Sequence, residues 1–555
     1  MSKIGIIRRS IREYGVHGAA VKAADRVLRR TPEEVPYERW QTKNRLSERD
    51  YAKMAREDLP YRPLIGVSVR AKGEDRLALV QSLNLQIYRV FRAMKDAPGA
   101  EYLLFIGTGC TLAPDLLWQC AKFLSENGST GVDSYSDVDL IYFDSDVIGP
   151  DGRKGNPAFR PEYDPELIRS VNYMGEVFLV RASLAKEAGF PGSGPDEIHA
   201  FLKRICEREK VPAGQERTGP VRHIPKVLYH VLEEDTRQTK AMHAEPDADY
   251  GIPESAERGE EKPLLSVLIP NSDHAEDLER CVSSLLDQCA DLNMEILILE
   301  NNSREEETRE LYRKLAGRDL RVRVETFEGA FNYSAVNNFG ARRAKGEYLL
   351  LLNNDTEVLD RTSIPRMMAL AAREDVGAVG ALLTYPGGII QHGGIILGHG
   401  GIAGHAFQGE DPEETELPGK DMLLGAVHNV SAVTGACMML RSEVFRKVGG
   451  FDEALAVTFN DVDLCLRIRQ WGLHVLMCPA AHLTHYESLS RGAEDSPEKV
   501  ERFHSEIRTF VHRWEKELRE GDPFYSPNFT LTMRPYTCRD LRRESVPPYR
   551  RYLYL

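Results

Sequence analysis

Between Leu264 and Leu352, four apolar runs (Leu264–Ile269, Ile296–Leu299, Val322–Val324 and Leu349–Leu352) alternate with segments of helical period around Leu278–Leu286, Glu306–Leu315 and Ala335–Ala344. Few folds accept this pattern. Parallel strands need crossover helices, so the sheet must be mainly parallel and covered on both faces. Ligands of open α/β sheets bind outside the carboxyl ends of the strands. The residues to inspect are therefore Pro270-Asn271, Glu300-Asn301-Asn302-Ser303 and Asn353-Asn354-Asp355-Thr356-Glu357. They carry amides and carboxylates but no glycine-rich phosphate loop, which argues against a dinucleotide or P-loop site. Asp355 and Glu357 are hard oxygen donors, suited to Mg2+ or Mn2+ that also touches a diphosphate. The plainer reading is a surface turn capping the next helix.

The pattern is partly repeated upstream. Glu101–Gly109 lines up with Glu347–Asp355, and Gly175–Phe190 parallels Gly435–Phe451. Two related units are expected, at 61–232 and 263–495, joined by an acidic stretch at 233–262 without apolar period. A basic segment at 1–60 precedes them and a helical extension with a tail, 496–555, follows. Gly109 stands where the second unit has Asp355, and Thr111 where it has Glu357. The first apolar run, Leu64–Val69, lies much nearer to Glu101 than Leu264 does to Glu347, so strands for nucleotide binding are expected to be missing there.

Acidic residues number 85 and basic ones 72, a net charge of -13, which offers no field for nucleic acid phosphates. Within that acidic chain, residues 1–31 are basic and amphipathic, with Ile4, Ile7, Ile11, Ala20, Ala23 and Val27 at helical spacing. Such a segment suits either anionic lipid at the inner face of a membrane or a solvated helix packed on its own domain. Apolar runs stop far short of a bilayer span and no signal-peptide pattern opens the chain, so a cytoplasmic location is expected. Nine cysteines occur singly, without Cys-x-x-Cys pairs, and read as reduced thiols.

Further motifs narrow the function. Phe459-Asn-Asp-Val-Asp463 opens a helix, and His482-Leu-Thr-His485-Tyr-Glu-Ser488 follows. Together with Ser266-Val-Leu-Ile-Pro270-Asn271, Glu300-Asn-Asn-Ser303, Phe331-Asn-Tyr-Ser-Ala-Val-Asn-Asn338-Phe-Gly340, Leu352-Asn-Asn-Asp355 and Thr434-Gly-Ala-Cys437, they resemble family-2 glycosyltransferases of the GT-A fold. The resemblance covers roughly 263–535 and is greatest to bacterial cell-surface polysaccharide, rhamnosyltransferase-like enzymes. It implies a Rossmann-like catalytic domain preceded by a truncated, degenerate one. The activity implied is metal-dependent, inverting transfer from a UDP- or dTDP-sugar to a hydroxyl of a growing surface polysaccharide or lipid-linked glycan. By similarity, Asp355 and His485 hold Mn2+ or Mg2+, and Asp461 is the general base. Pro270, Asn271, Glu300, Asn302, Asn337, Asn338, Asn354 and Asp355 form the donor pocket.

Asn460 stands where many relatives have Glu. The glycine-rich stretch Pro386–Gly409, with His392, His399 and His405, reads as a flexible loop over the site, its histidines acceptor-facing or structural. Asp144-Ser145-Asp146 is a rival metal motif in the first unit, for which a scaffold, acceptor-holding or pairing role is expected. Two other classes stay open, a sugar nucleotidyltransferase and a non-catalytic carbohydrate-binding scaffold. The former needs a basic loop near the first strand, and Pro270-Asn271-Ser272-Asp273 is not basic.

Overall fold

A computed structural model of the protein describes residues 34–552 except 70–72, 128–136, 193, 210, 233–262, 414–418, 487–495, 541–543 and 545–547. The basic stretch 1–31, the acidic stretch 233–262 and the end of the His485-Tyr-Glu-Ser488 motif lie outside the described residues.

Two α/β units are each built on one mixed sheet. The first contains β1 (Ile65–Val69), β2 (Phe91–Ala93), β3 (Tyr102–Ile106), β4 (Cys110–Leu112), β5 (Leu140–Ile148), β6 (Lys154–Ala158), β7 (Val177–Arg181) and β8 (Val221–Leu232). Their order is β2-β1-β3-β7-β5-β8-β4, with β6 beside β5. The second unit contains β9 (Leu265–Asn271), β10 (Met294–Glu300), β11 (Val322–Thr326), β12 (Tyr348–Leu352), β13 (Thr356–Val358), β14 (Val376–Thr384), β15 (Ile390–His392), β16 (Ile395–Leu397), β17 (Ala403–His405), β18 (His428–Asn429), β19 (Cys437–Arg441) and β20 (His474–His485). Its main order is β11-β10-β9-β12-β19-β14-β20-β13; β15 pairs with β14, β18 with β20, and β16-β17 form a separate pair. Strands β11-β10-β9-β12 are mutually parallel, and β19 runs antiparallel to both neighbours. The parallel part, β11-β10-β9-β12, is what the alternating runs imply, and the α/β arrangement agrees with the GT-A fold that the motif resemblance implies.

The two sheets repeat each other strand for strand. β2-β1-β3-β7-β5-β8-β4 match β10-β9-β12-β19-β14-β20-β13 in order and in sense. Register agrees as well: Tyr102 faces Arg181 as Tyr348 faces Arg441. Among the described residues, the first sheet lacks counterparts of β11 and of the two-residue β18. Of the strands expected to be missing before Glu101, β2 is present and the counterpart of β11 is lacking among the described residues; β2, Phe-Arg-Ala, is too short and too polar to stand out as an apolar run.

Alternation explains why the runs become central strands. Leu265, Val267 and Ile269 of β9 enter one core cluster with Ile296, Ile298, Leu350 and Leu352, while Leu268 enters another with Leu297, Leu299, Leu349 and Leu351. Each such leucine contributes about 1.5–3 kcal/mol by leaving water. The second cluster continues through Phe105 and Tyr142 of the first unit and through Trp514, Tyr525 and Tyr536 of the C-terminal segment, so the units share a core. Buried polar clamps reinforce the contact. Asn429 donates from its backbone N–H (2.9 Å) and Nδ2 (2.6 Å) to Asp164, and Arg469 pairs with Glu216 at 2.8 Å.

The stretch Pro386–Gly409 is not the expected flexible loop. It holds β15, β16 and β17, with Ile390, Ile395, Ile396 and Phe407 buried. His399 contacts the Met533 carbonyl at 2.8 Å, and His392 lies buried with Nδ1 2.8 Å from His405 Nδ1. Three-residue strands set in a glycine-rich stretch carry no period long enough to read from sequence.

Candidate functional site

The carboxyl ends of β9 and β12 open into a cleft of about 1290 Å3. Its other walls are β17, the Thr434–Ala436 turn before β19, the Val457–Val462 turn and the helix Pro497–Arg513. Six of the expected site residues line it: Pro270, Asn271, Asn354, Asp355, Asp461 and His485.

Asp355 and His485, 130 positions apart, meet because β13 pairs antiparallel with the end of β20, setting Thr356 opposite His485. Asp355 Oδ1 lies 3.0 Å from His485 Nε2. Gln391 Oε1 is 2.6 Å from Nδ1, and the Asn353 amide is 3.3 Å from Nε2. With the Nδ1 proton donated to Gln391, Nε2 would present its lone pair beside a carboxylate oxygen, an arrangement that a cation would satisfy. Adjacent donors around an octahedral ion at about 2.1 Å stand about 3.0 Å apart, so the pair fits Mg2+ or Mn2+. Among the described residues no group of three or more His, Cys, Asp or Glu forms a metal cluster. Glu357 does not line the cleft; it accepts from Tyr486 Oη at 2.6 Å, and that ring lies 3.9 Å beneath the Arg280 guanidinium.

On the side of β9, Asn354 donates to Asn271 Oδ1 at 2.6 Å, and Asn271 donates to Tyr312 Oη at 2.8 Å. Asp273 and His274 follow with φ of 56° each. Two successive left-handed residues other than glycine are strained, at about 1–3 kcal/mol each. Asp273 is held by donating to Ser303 Oγ (3.1 Å) and by accepting from the N–H groups of Arg304 and Glu305.

Four expected donor residues are not among those lining the cleft. Glu300 accepts from Ser303 N at 2.7 Å and closes a turn. Asn302 is exposed, with φ 64°, and bonds the Gly329 carbonyl. Its neighbour Asn301 is the one on the wall, buried, with Oδ1 unpartnered. Asn337 is buried and donates to the Tyr333 carbonyl of its own helix. Asn338 donates to the Phe451 carbonyl and accepts from the Phe451 N–H at 2.9 Å. Consecutive asparagines at a strand end or on a helix point to different sides, and sequence alone does not say which one turns inward.

Asp461 lies in the first turn of the helix Asn460–Gln470, after Phe459 in a left-handed conformation, φ 60°. Its Oδ2 accepts from Gly435 N at 3.0 Å and its Oδ1 from Val462 N at 2.8 Å. Asn460 is structural: it accepts from Asp461 N and donates to Ser334 Oγ. Of the histidines expected over the site, His405 is on the cleft wall; sequence reading missed Gln391, Lys499 and Arg502, which are also on it. The two cations carried no signal beyond their i,i+3 spacing in a charged helix.

Residues 266–449 match the family model described as glycosyl transferase family 2. That stretch of the C-terminal unit is a family-2 glycosyltransferase domain. The chain is 35% identical over 440 residues to the uncharacterized protein y4gI of Sinorhizobium fredii, covering 74% of this chain and 47% of that protein. Identity to the O-antigen biosynthesis protein RfbC of Myxococcus xanthus is 32% over 462 residues, 78% of this chain and 34% of the relative. A shorter match, 28% over 138 residues, is to the N-acetylglucosaminyl-diphospho-decaprenol L-rhamnosyltransferase of Mycobacterium tuberculosis, covering 24% of this chain and 45% of the relative. The chain thus spans about half, or less, of the length of these curated relatives. A loose structural overlap, TM-score 0.38 at 19% identity over 46% of this chain and 49% of the other, is with GalNAc-T7 bound to UDP, GalNAc and Mn2+.

Set beside the family-2 domain, the first unit lacks both members of the central pair. The β4–β8 ladder mirrors β13–β20, so Gly109 stands for Asp355 and Val231 for His485. A Cβ on Gly107, the counterpart of Asn353, would lie 2.0 Å from the Glu176 carboxylate, so that side chain fills the equivalent space. The rival carboxylates are engaged in structure. Asp144 contacts His223 (2.9 Å), Arg160 N and Asn528 of the tail, and Asp146 accepts from Tyr37 (2.7 Å) and Gln41 and contacts His230.

Proposed function

We propose that the protein is a metal-dependent, inverting glycosyltransferase that moves a sugar from a UDP- or dTDP-linked donor to a hydroxyl of a surface polysaccharide or lipid-linked glycan. The observation that carries this reading is the 3.0 Å approach of Asp355 to His485 in the cleft that also holds Asp461. Bound by that pair, Mn2+ or Mg2+ supplies positive charge to the departing diphosphate, which needs neutralising rather than protonation. Gln391 keeps the His485 lone pair aimed at the ion site. Asn271 and Asn354 face the nucleotide from the ends of β9 and β12. Asp461, fixed by two backbone N–H groups, takes the proton of the acceptor hydroxyl as that oxygen attacks the anomeric carbon opposite the leaving group. The first unit, with glycine and valine in place of the metal pair, is read as a non-catalytic scaffold.

The relatives' names, O-antigen biosynthesis protein and rhamnosyltransferase, favour a surface glycan as product. No helix among the described residues is long and apolar enough to cross a membrane, so contact with the inner membrane face would be peripheral. Calorimetric titration with UDP and dTDP, with and without Mn2+, tests the reading. Metal-dependent binding in the natural protein and its loss in Asp355→Ala are expected. Metal-independent binding, or none at all, would remove the proposal and favour the scaffold class.

A further inference from the structure

The first unit holds a cluster of titratable side chains that the cleft does not use. Asp146, the second carboxylate of the Asp144-Ser145-Asp146 motif, stands opposite His230 in the β5–β8 ladder, and its Oδ1 contacts His230 Nδ1. On the far side of that ring, Lys154 of β6 brings Nζ to 2.8 Å from His230 Nε2. The helix Tyr37–Asn44 closes the cluster: Tyr37 Oη donates to Asp146 Oδ2 at 2.7 Å and Gln41 Nε2 to the same oxygen at 3.3 Å. A carboxylate only accepts, so the proton between Asp146 and the ring sits on Nδ1, and Nε2 accepts from the lysine. Lys154 therefore meets an imidazole where an ordinary surface lysine meets water or a carboxylate.

Carboxylate, imidazole and amine in this order match the orienter, base and nucleophile of acyl-transfer chemistry, with an amine in place of a hydroxyl or thiol. Burial pulls the Lys154 ammonium below its usual value near 10.5; Arg45 adds to this and Asp146 opposes it, so more of the amine is free at neutral pH. Lys154 and His230 are both partly exposed, which leaves the amine within reach of a small reagent. We propose that Lys154 is a self-acylating lysine that takes a small acyl group from an acyl thioester. Nζ attacks the carbonyl carbon, a C–N bond forms and the C–S bond breaks. His230 Nε2 takes the amine proton and passes it to the departing thiolate, leaving an Nε-acyl-lysine and a free thiol. Asp146 places negative charge behind the ring, so a neutral thioester group suits the site better than an anionic acyl phosphate.

The full chain incubated with acetyl-CoA and mapped by peptide mass spectrometry tests the assignment. Lys154 should be acetylated roughly tenfold or more faster than the exposed Lys53 and Lys516, since a positioned base contributes about 10²–10⁴ and partial burial takes some of it back. His230→Gln, checked for an unchanged Tm, should bring Lys154 down to the rate of those two lysines. Unfolding the natural protein in urea should do the same without any substitution. In the folded protein the Lys154 rate should also reach its plateau at a lower pH than theirs. Equal rates in the folded protein, an unchanged preference in His230→Gln, a preference that persists in urea or a shared pH profile each overturn the proposal. Labelling by acetyl phosphate but not by acetyl-CoA overturns the choice of a thioester.

Discussion

Asn338 and Asp461 are two polar residues of the same family-like motifs, and their surroundings assign them opposite work. Asn338 uses both ends of its amide on the Phe451 backbone, pinning the turn after the Gly449-Gly450 pair. Asn338→Ala leaves a backbone N–H without its acceptor and should cost about 1–3 kcal/mol in urea unfolding. Nucleotide affinity should be untouched, and a large loss of it would return Asn338 to the donor pocket. Asp461→Asn keeps the size of the side chain and removes its basicity. Transfer should fall by roughly 10²–10⁴ while Mn2+-dependent nucleotide binding persists. Parallel loss of both would contradict the role of base. Residue type and motif order were enough to nominate these positions, but the direction of each side chain was not in the sequence.

At the scale of elements, the helix Pro497–Arg513 buttresses the turn that carries Asp461, the proposed base. Phe459 is held in a left-handed conformation by Glu506 accepting from Thr458 N and by the Phe510 ring. Phe510 is fully buried, so Phe510→Ala should destabilise the protein by about 3–5 kcal/mol. Released from its support, the turn should also lower kcat more than it weakens nucleotide binding; a purely thermal defect with unchanged kcat at low temperature would count against the buttress. This helix was legible as a helix but not as a wall of the site, because its contact with the Val457–Val462 turn spans some 50 residues of chain. The histidine-bearing stretch Pro386–Gly409 was misread for a related reason. Its three-residue strands are held by partners such as Leu383, opposite His392, rather than by any local period.

For the whole molecule, docking of the two units brings buried histidines to their junction. Burial holds His428 and His474 below the usual value near 6.5, despite the raising influence of Asp164 on both. The unfolded chain takes up these protons as pH falls through about 6.5 and the folded one does not, so stability is level above that pH and declines below it. Tm measured between pH 8 and 5 should show this decline, and the double variant His428→Gln with His474→Gln should flatten it; an identical slope would place the titrating groups elsewhere. By itself the sequence determined the strand–helix alternation, the repeat and the family-like motifs, since periodicity and residue chemistry are local properties of a chain. Tertiary structure alone decided which asparagines face the cleft, that Gln391 lies against His485, and that a helix beyond the family segment forms a wall of the cleft. Those depend on register and packing between stretches a hundred residues apart, where no local pattern constrains the outcome.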